Sequence, residues 1–123
     1  MKHKTLNKIT LCCDLVNVLG VNEYEKECTK YGVSRLFDAP DDEVLKLWIY
    51  NCELTEKRAK VIIDAVSAFN RKNLNRQIYA KLSVYGGDVT LTINKIKYDS
   101  CGYVSAITAL RHLGLRLTFK EMH

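Results

Sequence analysis

The chain of 123 residues is predicted to be an α+β protein, with about four helices followed by a ββαβ unit that forms a small antiparallel or mixed sheet. Two patterns predict this class. Apolar residues recur near the helical period of about 3.6 residues in the first half, and apolar and polar residues alternate from about residue 77 onward. The composition, 47% hydrophobic and 27% charged, is typical of a globular protein.

The first half of the chain is predicted to hold four helices. Leu6, Ile9, Cys13 and Val16 recur near the helical period, and Gly20 supplies a natural stop. The other three helices are predicted from an N-cap asparagine with a capping-box glutamate, a proline ahead of three acidic residues, and an N-cap threonine before a strong apolar face. In chain order these signals are Asn22 with Glu25, Pro40 with Asp41, Asp42 and Glu43, and Thr55.

The second half is predicted to begin with a β-hairpin. Apolar and polar residues alternate on either side of the Gly-Gly-Asp turn at residues 86–88. The alternation slips at Lys95, which favours a bulge or the end of a strand there. A helix closed by Gly114 follows, and the alternating segment Leu115–Glu121 is predicted to be the third strand of the sheet.

The predicted organisation divides the charge of the chain unevenly. Residues 1–69 form the helical part, residues 70–76 a basic connector, and residues 77–123 the ββαβ part, which we expect to pack with the first as one compact domain. Residues 1–69 hold 10 Lys and Arg against 11 Asp and Glu, whereas residues 70–123 hold 9 against 3. The excess behind the net charge of +5 therefore lies in the second half, which favours an acidic partner, nucleic acid first among them.

The outward positions of the predicted sheet form the main candidate site. If helices cover the other face, this face is basic and carries interleaved tyrosines, which can stack on bases while the cations neutralise phosphates. A plain solvated sheet face would show the same residue types, and exposed tyrosines also suit a protein interface. The candidate nucleic-acid-binding residues are Arg71, Lys72, Arg76, Tyr79, Lys81, Tyr85, Arg116 and Lys120.

An aromatic-glycine turn, an apolar pair and a helix start follow one another between residues 30 and 69. They are Tyr31-Gly32, Leu36-Phe37, and a final helix with Ala59 and Ile62. In this pattern the segment resembles the N-terminal helix-hairpin-helix region of RadC-type proteins. The resemblance implies two helices joined by a hairpin whose backbone N–H groups approach a nucleic-acid phosphate.

The hairpin itself departs from the family pattern. Where the family has two glycines that let the backbone approach a phosphate, this chain has Glu53 and Thr55. Glu53 would place a negative charge beside the phosphate, and Thr55 is a good N-cap without any ligand. Three cations on the first turns of the following helix are secondary candidates for a contact with a nucleic-acid backbone, or simply a solvated helix face: Lys57, Arg58 and Lys60.

The chemical groups of the chain do not predict an enzyme, a metal site or a cofactor. Cys101 and His112 lie on either side of a predicted helix, and the other two histidines lie near the termini. Cys12 and Cys13 point in different directions on a helix and do not share one zinc ion. We therefore expect a non-catalytic protein that binds no cofactor.

The sequence predicts a cytoplasmic protein without a membrane contact. Five cysteines without a CxxC motif indicate reduced thiols. No apolar run approaches the roughly 18 residues that would span a bilayer. Polar residues interrupt the apolar stretch near the N-terminus, and no small-residue cleavage site follows it. An open strand edge leaves room for a homodimer.

Two functions are compatible with these expectations. The first is a small accessory protein that binds DNA or RNA through backbone charge and stacking, and the basic second half favours it. The second is a protein-interaction module or an inhibitor of a cellular protein, a host protein included. Small chains with few motifs are frequent among viral and mobile-element accessory proteins, which is an argument by analogy.

Overall fold

A computed structural model describes residues 7–117 of the chain. Within these residues it confirms the α+β class, because four helices precede a small antiparallel sheet of three strands. The chain divides into two compact units, Met1–Glu53 and Leu54–His123. This boundary lies earlier than the predicted one at residue 69, because the fourth helix packs against the sheet.

Between residues 7 and 53 the structure holds three α-helices and a short 3-10 helix. The third α-helix has an acidic first turn, which suits the positive end of the helix dipole. A proline precedes that turn, where its missing N–H costs nothing. In chain order the elements are α1 (Lys8–Leu19), α2 (Val21–Lys30), the 3-10 helix (Leu36–Asp38) and α3 (Asp41–Cys52).

The junction between α1 and α2 differs from the prediction. Gly20 ends α1 with a φ of 83°, a left-handed conformation that favours glycine, and α2 begins at the next residue, Val21. Asn22 therefore lies inside α2, and no side chain caps the start of this helix. The predicted capping box of Asn22 and Glu25 is wrong, since the glycine turn brings the helix start forward.

The core of the first unit lies between α1, α3 and the 3-10 helix, and α1 contacts both of the others. Leu15, Leu36, Val44 and Trp48 are fully buried there. The indole Nε1 of Trp48 donates a hydrogen bond of 2.9 Å to Oδ2 of Asp14. This bond satisfies the polar atom of the largest buried side chain, which would otherwise be costly to bury.

Asp14 gives the first unit a predicted pH dependence. Burial raises the pKa of the Asp14 carboxyl above its ordinary value of 3.8, although the hydrogen bond from Trp48 acts in the opposite direction. The folded state therefore binds this proton more tightly than the unfolded state. The stabilising contribution is complete below about pH 3.8 and is lost as the pH rises through the folded pKa. At neutral pH the ionised Asp14 costs stability.

We expect Asp14→Asn to stabilise the protein at neutral pH, because the amide carries no charge and its oxygen still accepts from Trp48. This gain should shrink as the pH falls toward 3.8. Urea unfolding of the wild type and the variant at a series of pH values measures the difference. A difference that stays constant with pH, or that favours the wild type at neutral pH, would contradict the assignment.

In residues 54–117 the structure holds two helices and three strands. Thr55 caps the first of these helices, since its hydroxyl accepts a hydrogen bond of 3.2 Å from the Arg58 amide. The sequence predicted this start. The strands form an antiparallel meander in which each strand pairs with the next one along the chain. The elements are α4 (Glu56–Lys72), β1 (Ala80–Tyr85), β2 (Asp88–Ile93), β3 (Ile96–Tyr98) and α5 (Tyr103–His112).

Two turns of two residues each connect the strands. Gly86 and Gly87 join β1 to β2 with φ values of 57° and 85°, as a type I′ turn requires. Asn94 and Lys95 join β2 to β3 with φ values of 46° and 78°. Such turns fit the right-handed twist of the strands they connect. The first turn was predicted, whereas the slip at Lys95 is a second hairpin turn.

The core of the second unit lies on one face of the sheet. Leu91 and Ile93 of β2 are buried, and α4 packs against β1 and β2 with Ile62 in its buried stripe. α5 contacts β3, and its Ile107 and Leu110 are fully buried. The sheet thus has one face toward the helices, as the alternating pattern of the strands predicted.

The third strand among the described residues is one that the sequence did not predict. It is Ile96–Tyr98, which precedes α5 and pairs with β2. The predicted strand Leu115–Glu121 follows α5. Residues 115–117 have no regular secondary structure, and residues 118–123 lie outside the described part of the chain. The two-residue turn at Asn94 and Lys95 produces the observed strand, because it returns the chain to β2 at once. Over residues 118–121 the predicted strand stays a prediction.

Candidate nucleic-acid interface

The sheet turns its second face toward solvent. Lys81 and Ser83 of β1 are exposed, while Leu82 between them points to the opposite side and is half-buried. The register of the strands shows which residues share the solvent side with them. We call this surface the outer sheet face, and it comprises Tyr79, Lys81, Ser83, Tyr85, Thr90, Thr92 and Lys97.

Two lysines lie on either side of a threonine in the middle of the outer sheet face. Lys81 pairs with Thr92, and Thr92 pairs with Lys97 on the third strand. Neighbouring strands lie about 4.8 Å apart, so the backbones that carry the two lysines are about 10 Å apart. This separation is close to the Debye length of about 10 Å at 0.1 M salt. Both charges can therefore act on one anion that lies against this face.

Two exposed tyrosines lie along β1 on the same face. Tyr79 is 59% exposed and Tyr85 is 86% exposed. They are six residues apart in an extended strand, which corresponds to about 20 Å at about 3.4 Å per residue. Lys81 lies between them. Aromatic rings at this exposure offer flat apolar surfaces next to a positive charge, a combination that is common in proteins that bind single-stranded nucleic acids.

Two acidic residues lie near this surface, and they affect it differently. Asp88 pairs with Tyr85 across the hairpin, so one carboxylate lies at the turn end of the outer sheet face. The Oδ1 atom of Asp99 accepts a hydrogen bond of 2.9 Å from the Cys101 amide, which engages that carboxylate in the turn before α5. The positive charge is therefore strongest around Lys81 and Lys97, away from the hairpin turn.

The connector between α4 and β1 is held by side-chain hydrogen bonds. The Asn70 amide donates to the Ile78 carbonyl and accepts from the Ile78 N–H, both at 2.8 Å. Gln77 donates to the carbonyls of Asn70 and Asn73 at the end of α4. These bonds satisfy backbone groups that the end of a helix leaves open. The segment predicted as a linker is thus an ordered return toward the sheet.

The predicted cations of the connector are exposed but have different surroundings. Arg71 and Lys72 lie in the last turn of α4, where cations interact favourably with the helix dipole. Arg76 directs its guanidinium to the turn after α5, with Nη2 3.5 Å from the Leu113 carbonyl oxygen. A Cβ atom at Gly114 would lie only 2.6 Å from this nitrogen. Arg76 therefore packs against the chain after α5.

Of the last two predicted cations, the structure describes only Arg116. Arg116 is exposed, but it follows α5 and lies on no strand. Lys120 lies outside the described residues. Lys97 lies on the outer sheet face instead, and the sequence did not predict it because β3 is only three residues long. The signal that could have found it is the asparagine at position 94, since Asn tolerates a positive φ and favours a hairpin turn.

The three secondary candidates at the start of α4 also have different environments. Arg58 is only 8% exposed and its guanidinium lies over the Tyr103 ring, 5.4 Å from the centroid. It therefore supports the fold and does not offer its charge to a ligand. Lys60 forms an ion pair of 2.8 Å with Glu56 one helical turn earlier. Lys57 is exposed.

At the centre of the segment that resembles a helix-hairpin-helix, a backbone N–H group already has a hydrogen-bond partner within the protein. The Leu54 N–H donates a hydrogen bond of 2.9 Å to the Ser100 carbonyl, and the Leu54 side chain is buried. The Thr55 hydroxyl caps α4. The amide between the two positions where the family has glycine is therefore occupied within the protein.

Residues 7–117 show neither a metal-binding cluster nor a membrane-spanning helix. Among residues 7–117, no group of three or more His, Cys, Asp and Glu side chains could hold a metal ion. No helix of that part is long and apolar enough to cross a membrane. None of the five cysteines, all within this range, forms a disulfide. Burial raises the pKa of the Cys12 thiol, which disfavours the reactive thiolate.

The chain was compared with models of protein families, with curated proteins and with solved structures. None of them matches it. The resemblance of residues 30–69 to RadC-type proteins stays a prediction.

Proposed function

We propose that this chain is a small, non-catalytic accessory protein that binds nucleic acid on its outer sheet face. The observation that carries the proposal is the row Lys81–Thr92–Lys97, flanked along β1 by the exposed rings of Tyr79 and Tyr85. Lysines neutralise phosphates and release their counterions. Tyrosine rings stack on bases that are not already stacked in a duplex, so the proposed ligand is single-stranded DNA or RNA.

The side chains of the outer sheet face favour binding without sequence specificity. A lysine ammonium is a flexible point charge and lacks the planar fork with which arginine recognises a guanine edge. Stacking on tyrosine tolerates every base, because each base has a flat π-face. We therefore infer contacts with backbone and base faces. A cytoplasmic location fits this function, and five cysteines that form no disulfide with one another support it.

The decisive test is the double variant Lys81→Gln/Lys97→Gln. Labelled single strands of about 15–20 nucleotides, DNA and RNA, and their duplexes are titrated at about 50 mM and about 200 mM salt. We expect the wild type to bind single strands more tightly than duplexes, and more weakly at the higher salt. For single strands, the logarithm of the affinity falls with the logarithm of the salt concentration by about 0.7 for each phosphate contact. The slope of the double variant should therefore be smaller by about 1.4. Its affinity should fall about tenfold.

The matched control is Lys57→Gln/Lys60→Gln, which removes the same charge from the first turns of α4. Its affinity should stay within about a factor of two, apart from the general effect of net charge. A larger loss in this control than in the sheet variant would transfer the site to α4. No binding of any probe at the lower salt would overturn the proposal.

A second candidate function, a protein-interaction module or inhibitor, is favoured by an apolar groove in the first unit. The groove of about 280 Å³ lies beside α1, α2 and the 3-10 helix. Ile9 at its border is 61% exposed and Phe37 is 39% exposed. Exposed apolar side chains around one groove are typical of protein contacts. If no nucleic acid binds, this function is the one to test, by pull-down of protein partners.

A further inference from the structure

The two ends of the outer sheet face differ in charge. At the Tyr85 end, the paired residue Asp88 supplies a carboxylate, and no Lys or Arg occurs in residues 82–90. The segments that meet at the Tyr79 end, residues 65–79 and 93–96, contain no Asp or Glu. The described charges therefore favour the Tyr79 end for an anion that lies along β1.

Lys95 is fixed at the Tyr79 end of the sheet. It is an exposed residue in the two-residue turn between β2 and β3. The preceding residue, Asn94, makes two hydrogen bonds of 2.9 Å with Tyr79. Its N–H donates to the Tyr79 carbonyl, and its side-chain Oδ1 accepts from the Tyr79 N–H. This double contact holds the turn, and with it the charge of Lys95, beside Tyr79.

Two further exposed cations lie at the same end. The Asn70 side chain ties the last turn of α4 to Ile78, the residue before Tyr79, through two hydrogen bonds of 2.8 Å. Lys72 belongs to this turn, and Arg76 lies in the connector that leads back to Ile78. We call this group of three cations the basic end, and it comprises Lys72, Arg76 and Lys95.

Neutral side chains occupy the carbonyl groups at the end of α4. The Asn73 amide donates to the Phe69 carbonyl at 2.8 Å. The Gln77 amide donates to the carbonyls of Asn70 and Asn73 at 2.8 Å and 3.0 Å. Cations often fill this role at the end of a helix, but here they are not needed for it. Within residues 7–117 the Lys72 ammonium has no hydrogen bond or ion pair, so its charge is open to an outside anion.

We propose that a single strand bound on the outer sheet face leaves it at the Tyr79 end and continues across the basic end. The inference rests on the proposed function and adds the length of the ligand to it. Tyr79 and Tyr85 are about 20 Å apart, a distance that a stacked strand covers with about six nucleotides at about 3.4 Å each. A longer strand reaches the basic end and gains three cations.

The basic end contacts phosphates, whereas the outer sheet face contacts phosphates and bases. Its three side chains carry positive charge and hydrogen-bond donors but no aromatic ring on which a base could stack. Each cation neutralises about one phosphate, which contributes about 0.7 to the salt slope defined above. The slope should therefore be steeper by about 2 for a strand of about 12 nucleotides than for one of about 6. We call these strands the long probe and the short probe.

The test is the variant Lys72→Gln/Lys95→Asn, which leaves the outer sheet face unchanged. Asparagine suits position 95 because φ there is 78°, a conformation that asparagine tolerates. For the long probe, the affinity at about 50 mM salt should fall about tenfold and the slope should be smaller by about 1.4. For the short probe, the affinity should change by less than about twofold. Each probe is compared with itself, so the number of positions open to a longer strand does not affect the result.

A control variant and a control probe accompany this test. Lys57→Gln/Lys60→Gln removes the same number of charges from the opposite end of α4, and it should lower the affinity for both probes equally, by less than about twofold. The control probe is the short probe extended by about six abasic nucleotides at its 5′ or its 3′ end. At least one of these two extended probes should have the salt slope of the long probe, because the basic end contacts phosphates alone.

The outcomes separate this inference from the proposed function. If neither probe binds the wild type at the lower salt, the proposed function is overturned and the inference with it. If binding requires Lys81 and Lys97, but Lys72→Gln/Lys95→Asn affects both probes equally, the proposed function stands and the inference is overturned. A loss for the long probe that the α4 control reproduces also overturns the inference. Should the double variant not fold, each single variant decides the matter, with an expected loss of about 0.7 in the slope of the long probe.

Discussion

Trp48→Ala is expected to lower the free energy of unfolding by about 3–5 kcal/mol, the usual cost of deleting a buried tryptophan. The Trp48 side chain is fully buried in the core of the first unit, beside Leu15 and Val44. Its removal leaves a large cavity and takes the hydrogen-bond donor away from the Asp14 carboxylate. Since small domains are stabilised by about 5–15 kcal/mol, the variant should lose a large share of its stability.

The measurement is urea unfolding followed by far-UV circular dichroism, because the substitution removes the single tryptophan of the chain. Trp48→Phe is the matched control. It keeps an aromatic ring in the core but loses the N–H donor, so its cost should be about half as large. A loss below about 1 kcal/mol in Trp48→Ala would contradict the burial of this side chain.

Much of the fold could be predicted from local signals, because each of them acts within a few residues. Thr55 predicted the start of α4, and the Gly86-Gly87 pair predicted the first hairpin turn. In both places one residue type satisfies a specific backbone requirement, an N-cap acceptor or a positive φ. Such signals stay visible in the sequence because no distant part of the chain is needed to explain them.

The third strand could not be predicted in the same way, because strand pairing depends on what lies next to the strand in space. The segment after Gly114 alternates as regularly as β1 does, but only its first three residues, 115–117, are described, and they form no strand. β3 has only three residues, so its alternation is too short to be recognised. Only the Asn94-Lys95 turn, which brings the chain back to β2, makes it a strand.

The candidate site could be predicted only in part, because one of its residues is brought to it by strand pairing. Tyr79, Lys81 and Tyr85 share one side of one strand, and alternation alone placed them together. Lys97 joins them only through the pairing of β2 with β3. The burial of Arg58 was readable from its spacing, because Arg58, Ile62 and Val66 recur every four residues on one stripe of α4. Arg58 was predicted as a secondary ligand contact because of its charge, although its position on this stripe indicates a buried residue.

Leu91→Ala is the change expected to destabilise the second unit most clearly. Leu91 lies at the centre of the meander, fully buried, between Leu82 of β1 and Tyr98 of β3. Truncation of a fully buried leucine costs about 2–5 kcal/mol, since the cavity adds to the lost burial of apolar surface. Urea unfolding measured by far-UV circular dichroism should show this loss of stability.

The neighbouring residue on β2 supplies the control, and the pair tests the assignment of the two faces. Thr92 points to the outer sheet face and is half-buried, so Thr92→Ala should cost no more than about 1 kcal/mol, the range of strand propensity. Because successive residues of a strand point to opposite faces, the order of the two costs decides which face is the core. A larger loss for Thr92→Ala than for Leu91→Ala would mean that the lysine row lies inward, and the outer sheet face could then bind no ligand.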